Sequence, residues 1–346
     1  VDLLLTTARD VGAPGPDARY GRGILDIAAA FAPSGALTLA GSSVALAADL
    51  TSGLSSPMGD VRPASARAIA LDELKRAYEV DLAPHFAGRG PTRALASALD
   101  ATQRHVDIGT RALRVALTVA PGQSMPLGFG LPQRDGERAQ LRSGTLHARL
   151  APGADIALGL RTGIVALERQ LTGQGSPSFL MAEQGFAAQR ADMRAGAALA
   201  FTRRIGRGFS LVSGFEMGEM TPSARRIGQP DITERKAPYH AIATSLAFQR
   251  GPVALTSGLT LLDEPASALG ARFSPTLGAQ SARTLFARFG LKANPTPGLT
   301  LAANWQRGWT RAAAGGALPG GGALVSQSWS AAITRQNLFE QGDLLG

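Results

Sequence analysis

No cysteine occurs in the 346 residues. That excludes disulfides, thiolate metal ligands and a cysteine nucleophile. Histidine is almost as scarce: His85, His105, His147 and His240 are the four present, and their spacing matches no zinc motif. No metal and no cofactor is therefore expected. No run approaches about 18 uninterrupted apolar residues, so a membrane-spanning helix is not expected and strands are the remaining route through a bilayer. Val1 is neither Met nor the start of a charged prelude to an apolar run. The chain thus shows no signal peptide and reads as an internal piece of a longer protein.

Charged residues make up only 18 % of the chain and aromatics 5 %, whereas 42 glycines and 21 prolines mark many turns. With 45 % hydrophobic residues the chain has material for a sizeable core, and general disorder is not expected. The formal net charge of +9 is carried mainly by arginine. Those arginines are scattered: Arg203, Arg204 and Arg207 sit at one turn, and Arg225 and Arg226 in a loop. Phosphate binding needs a concentrated patch, so nucleic acid is not an expected partner.

The opening residues Val1–Gly12 read as the end of a helix stopped by Gly12, with Leu3, Leu4 and Leu5 turned to a core. A Pro- and Gly-rich turn and a short Ala-rich helix follow. Within them Tyr20, Gly21 and Gly23 make a tight reversal, and Leu25 and Asp26 open the helix. The run TTARDVGAPGPDARYGRGILDIAAAF resembles the closing segment of subtilisin-like serine peptidases (peptidase S8), particularly those fused to an autotransporter barrel. The resemblance covers about the first 33 residues. In that family the catalytic Asp, His and Ser precede this segment, so no catalytic residue is assigned here, and none binds a cofactor or metal.

The resemblance implies four pieces. Residues 1–33 would be the terminal segment of a subtilisin-like peptidase domain, a short helical remnant of an α/β fold. Residues 34–68 would be a passenger end with short strands and a linker, and residues 69–107 a tether or pore-threading segment, helical toward His105 and Val106. Residues 108–346 would be an autotransporter-like β-barrel, truncated.

Beyond Arg111 the hydrophobic period becomes two. Leu113, Val115, Leu117 and Val119 share a face, and Leu299, Leu301, Ala303 and Trp305 oppose Thr300, Ala302, Asn304 and Gln306. Strands of about nine to eleven residues pair through tight joints, as at Ile205–Gly208 and Arg250–Pro252. Phe201, Phe209, Phe248, Trp305, Trp309 and Trp329 fall near strand ends. Arg114, Arg142, Arg149, Arg161, Arg194 and Glu216 fall on the polar face, where a watery lumen would suit them. Alternation alone does not separate a barrel from a soluble sandwich.

The expected fold class is mainly β: an antiparallel outer-membrane-type β-barrel, incomplete at its C-terminal end. The function that follows is outer-membrane anchoring and translocation of a secreted serine endopeptidase, with no triad in this chain. Expected partners are outer-membrane lipid, the barrel-assembly machinery and the chain's own passenger domain. The expected location is the outer membrane of a Gram-negative-type cell. Two other readings stand beside it: a soluble β-rich accessory domain of a secreted protease, and a porin- or adhesin-like barrel.

Overall fold

Five-residue helices cannot hold themselves in water, so the two that open the chain depend on what is tied to them. In a computed structural model, residues 2–41, 45–46, 52–53, 67–83, 86–87, 104–110, 112–121, 139–173, 193–220, 237–271, 281–312, 323–336 and 344–345 are described. Helix α1 spans Asp2–Thr6 and ends well before Gly12, and the Thr7 N–H and hydroxyl both donate to the Leu3 carbonyl. Its Leu4 and Leu5 are exposed, contrary to the core expected for them. Gly21 and Gly23 both take positive φ, as the reversal requires. Asp26 then caps helix α2, Ile27–Phe31, accepting the Ala29 N–H at 2.8 Å.

The far end of α2 is capped from a distant hairpin. Strands β3 (Arg67–Leu71) and β4 (Ala77–Asp81) are antiparallel, and β1 (Thr38–Leu39) pairs with β3. The Arg76 guanidinium donates to the carbonyls of Ala30 and Ala32 at 2.7 and 2.9 Å, and the Tyr78 hydroxyl donates to that of Phe31 at 3.1 Å. Carbonyls with no partner inside the helix are thereby satisfied. Asp72 aims Arg76, meeting its Nε at 2.8 Å and Nη2 at 2.7 Å. Two further short strands, β2 (Ser52–Gly53) and β5 (Phe86–Ala87), pair in parallel.

Burial opposes the charged form of Asp72, but the Arg76 N–H, the Arg76 guanidinium and the Ser34 N–H outweigh it and hold the carboxyl at about 2. A folded pKa below the ordinary 3.8 contributes stability that is present above that value and lost as pH falls toward about 2. Acid titration monitored by the Tyr78 environment should show this loss, and Asp72→Asn should flatten it between about pH 4 and 2.

The rest of the fold is one antiparallel meander. Its strands are β6 (Arg104–Gly109), β7 (Leu113–Pro121), β8 (Ala139–Ala151), β9 (Ala154–Leu160), β10 (Met193–Arg204) and β11 (Phe209–Met220). They continue as β12 (Ala237–Arg250), β13 (Val253–Glu264), β14 (Ala282–Thr296), β15 (Leu299–Ala312), β16 (Ala323–Gln336) and the two-residue β17 (Leu344–Leu345). Each pairs with the next in a single 12-stranded sheet. The tight joints expected at Ile205–Gly208 and Arg250–Pro252 are present, linking β10 to β11 and β12 to β13, with strands longer than anticipated. Alternation is strict where both faces are packed differently: along β12 every second residue from Ala237 to Ala247 is buried and the intervening ones are exposed.

Two expectations are corrected here. His105 and Val106, placed on a helix by their neighbours' propensity, lie in β6, where pairing with β7 overrides it. The fold is mainly β as expected, but among the described residues its sheet is open and not an outer-membrane-type barrel. Among the described residues no ladder joins β6 to β16 or β17. Side-chain alternation fixes which face of a strand is apolar, whereas closure is a pairing between the first and last strands that alternation does not encode. The expected passenger end over residues 54–66, the tether over residues 88–103, and His85, Arg225 and Arg226 lie outside the described residues.

A third helix, α3 (Ile164–Thr172), connects β9 to β10 and lies on the inner face. Ile164 and Leu167 are buried with Ala157, Ala198, Ala200, Val212 and Ala243, and Leu171 packs against them. A second core joins Met220, Tyr239, Leu262, Leu269 and Phe286, with Val165 of α3 against it. The tie points of α3 show that the sheet curls. Gln170 donates to Thr145 on β8, while Glu168 pairs with Arg288 on β14. Those strands are six steps apart in the sheet, roughly 29 Å if it were flat. Two residues separated by about 3 Å of helix rise can reach both only if the sheet wraps around them.

Candidate functional site

The most concentrated chemistry lies where α3 meets the inner face. Gly159 on β9 makes the approach possible, since a Cβ there would stand 2.8 Å from the Thr162 carbonyl and 3.3 Å from the Leu167 side chain. Gly163 precedes the helix and offers no side-chain cap. The buried carboxylate of Glu216 on β11 supplies one, accepting the Ile164 N–H at 2.8 Å and the Tyr239 hydroxyl at 2.6 Å. A negative charge is favoured at that end of a helix. Gly173, at φ 70°, closes the other end and donates its N–H to Arg169 and Gln170.

Glu168 points from the middle of α3 into the sheet. Its carboxylate accepts the Ser245 hydroxyl at 2.6 Å and pairs with the Arg288 guanidinium, both partners being largely buried. The Nε of Arg288 finds no acceptor among the described residues. A third buried carboxylate, Glu264, ends β13 and folds the following loop inward. It accepts the Ser267 hydroxyl and the N–H groups of Leu269 and Gly270, all at 2.8 Å. Burial pushes its carboxyl above the ordinary value, against the pull of the Gly270 and Leu269 N–H groups and the Ser267 hydroxyl. Leu269 takes φ 51° in this loop and is buried in the core it helps to form.

The residues expected to face a watery lumen are placed differently. Glu216 is buried and hydrogen-bonded, as above. Arg149 lies 3.4 Å from Asp155, and Arg114 makes an exposed pair with Asp107 at 3.5 Å. Arg161, in the left-handed region at φ 53°, donates to the Leu141 carbonyl. The side chain of Arg194 is outside the described residues. The helix and the inward loop take up space that the polar face would otherwise leave to water.

The groups do not assemble into a nucleophilic site. Ser245 donates to Glu168, and Ser267 to Glu264, so each hydroxyl faces a carboxylate and not an imidazole base. His147 lies 3.5 Å from Asp155 on the same oxygen that Arg149 approaches, His105 meets Thr118 at 3.0 Å, and His240 stacks on Phe215. Among the described residues no three metal-ligating side chains come together. The sequence reading singled out Glu216 but missed Glu168, Arg288 and Glu264. For Glu168 a signal existed: Ile164, Leu167 and Leu171 recur at helical spacing and place an acid beside an apolar stripe.

The outer face is the reverse of the inner one. Leu199, Phe215, Ile242, Leu259, Phe289 and Trp305, on six successive strands, are all exposed. A contiguous apolar surface on that scale is unusual for a face left in water and marks a contact surface.

No family model matches the chain, and no curated protein matches it either. That overturns the resemblance to subtilisin-like peptidase autotransporters, since a true relative of either part would have been expected to register. A 26-residue turn-and-helix run is built from residues any capped turn requires. The anchoring and translocation function, and the terms hydrolase, subtilase and autotransporter that went with it, fall with it. The expected outer-membrane lipid, assembly machinery and passenger partners, and the outer-membrane location, are corrected for a structural reason. They rested on a closed wall, and among the described residues no pairing joins the first strand of the sheet to the last, which would leave backbone groups that hydrocarbon cannot satisfy. No helix among the described residues is long and apolar enough to cross a membrane.

Proposed function

We propose that the chain is a β-rich accessory domain that performs no covalent chemistry and serves as a contact surface for another polypeptide. The carrying observation is the contrast between its two faces. The buried carboxylates of the inner face are engaged in holding α3 and the inward loop, whereas the outer face presents exposed apolar side chains strand after strand. The partner this fits is a protein with a complementary apolar surface. No catalytic, cofactor-binding or metal-binding residue is assigned. In this proposal the contact unit is the β-rich part from about residue 108 onward.

Two measurements on the full chain test the reading. A fluorophosphonate probe should leave every serine unlabelled, because the buried Ser245 and Ser267 hydroxyls each face a carboxylate and not an imidazole; stoichiometric labelling of one serine would contradict it. The exposed face should bind a hydrophobic dye, and the triple change Ile242→Ser, Leu259→Ser and Phe289→Ser should cut that signal several-fold with β circular dichroism unchanged. A chain that stays dark to the dye before substitution would contradict the contact-surface part.

A further inference from the structure

Arginines elsewhere on the sheet face a carboxylate across the ladder. Arg149 lies 3.4 Å from the directly opposed Asp155, and Arg283 lies 2.9 Å from the directly opposed Asp263. Three arginines at the end where short turns join β10 to β11 and β12 to β13 have no such neighbour. Arg203 on β10 is opposed by Ala154 and Leu211, and Arg250 on β12 by Val253. Arg207 stands in the turn after β10. All three are exposed, and no ion pair among the described residues involves them. Strands β10 and β12 contain no acid, and those of β11 and β13, Glu216, Glu219, Asp263 and Glu264, lie toward the opposite end of the sheet.

What lies between these arginines is apolar. Leu211 and Leu246 are directly opposed, as are Phe209 and Phe248, whose ring centroids are 4.7 Å apart. Strand alternation puts Arg203 beside Leu211 and Arg250 beyond Phe248, all on the outer face. The Gln249 N–H donates to the Gly208 carbonyl at 2.8 Å, which holds the two turns side by side. Arg207 and Arg250 therefore border the phenylalanine pair from one end, and Arg203 borders the leucine pair from the side.

We propose that this corner of the outer face is the docking site for an acidic segment of another polypeptide, in which aromatic or aliphatic side chains stand among carboxylates. The carboxylates pair with the Arg203, Arg207 and Arg250 guanidiniums, each of which can hold one through two N–H donors. The apolar side chains of the segment lie on Leu211, Leu246 and the phenylalanine pair. A nucleic acid fits the corner less well. The two rings pack on each other and do not stand apart to take a base, and the leucines between the arginines offer a sugar-phosphate chain no partner. This site rests on the reading of the chain as a contact domain and deepens it, since it sets the charge that the partner must carry.

The probe is a fluorescent synthetic peptide, GEEFDDLFEEG, added to the full chain. Its anisotropy should rise saturably, and the binding should weaken several-fold when salt is raised from about 0.05 to 0.5 M. Two altered peptides test the two halves of the contact without touching the protein. GKKFKKLFKKG should not bind, and GEEGDDGGEEG should bind at least several-fold more weakly. The triple change Arg203→Gln, Arg207→Gln and Arg250→Gln should weaken binding of the first peptide at least about tenfold with β circular dichroism retained. Removing the same charge elsewhere, by Arg283→Gln, Arg307→Gln and Arg311→Gln, should change it by less than about twofold. Absent binding, equal losses in the two triple variants, equal binding of the lysine peptide, or tighter binding of an oligothymidylate of the same charge would each overturn the proposal. The dye experiment turns on Ile242, Leu259 and Phe289, which lie outside this corner, so either result can fail while the other stands.

Discussion

Replacing Arg288 with Ala should cost about 3–5 kcal/mol of stability, because it leaves the buried Glu168 carboxylate without its counter-charge. Glu168→Ala should cost a similar amount, since Arg288 would then be buried without a carboxylate. The loss extends beyond the pair: Ser245 would lose its acceptor, and α3 its tie to the far side of the curled sheet. Replacing both partners together, as Glu168→Met with Arg288→Leu, should cost less than either alanine change, because no isolated charge remains. Urea unfolding followed by β circular dichroism measures all three. Equal additive losses would mean that the two side chains do not interact in solution.

The second large effect comes from the apolar side of the same helix. Leu167 is fully buried between α3 and β9, and Leu167→Ala should cost about 2–5 kcal/mol through lost burial and the cavity left behind. Leu171, one turn further and only partly buried, should cost clearly less on the same change. Comparable losses at the two positions, measured by the same unfolding transitions, would show that α3 does not sit with Leu167 inward.

The sequence made the strands legible and the closure illegible, and the reason is the range of each interaction. A strand declares itself through alternation within about ten residues, and a hairpin through its turn, as Gly251 does at φ 56° between β12 and β13. Whether the first and last strands meet depends on residues far apart in the chain, and nothing in the wording of β6 or β16 specifies it. The apolar outer face was likewise legible: Leu301 and Trp305 share it, as their spacing required. The inner face was half legible. Charges on it were recognised at Glu216, but a lumen was inferred where α3 and the loop after Glu264 fill the space. Glu168 and Arg288 are 120 residues apart, and only the curl brings them together. At the N-terminus the Asp26 cap was readable from local pattern, while the Arg76 and Tyr78 cap arrives from a hairpin more than 40 residues later.

The central claim is that α3 is locked to the inner face of an open, curled sheet by the Glu216 cap and the Glu168–Arg288 pair. Residue-resolved amide hydrogen exchange tests it most directly. In the unaltered chain the α3 amides, including the Ile164 N–H that donates to Glu216, should exchange as slowly as those of β10 and β11 beneath them. In Arg288→Ala the α3 amides should accelerate ahead of the sheet. Rapid exchange throughout α3 in the unaltered chain, with β10 and β11 still protected, would contradict the account.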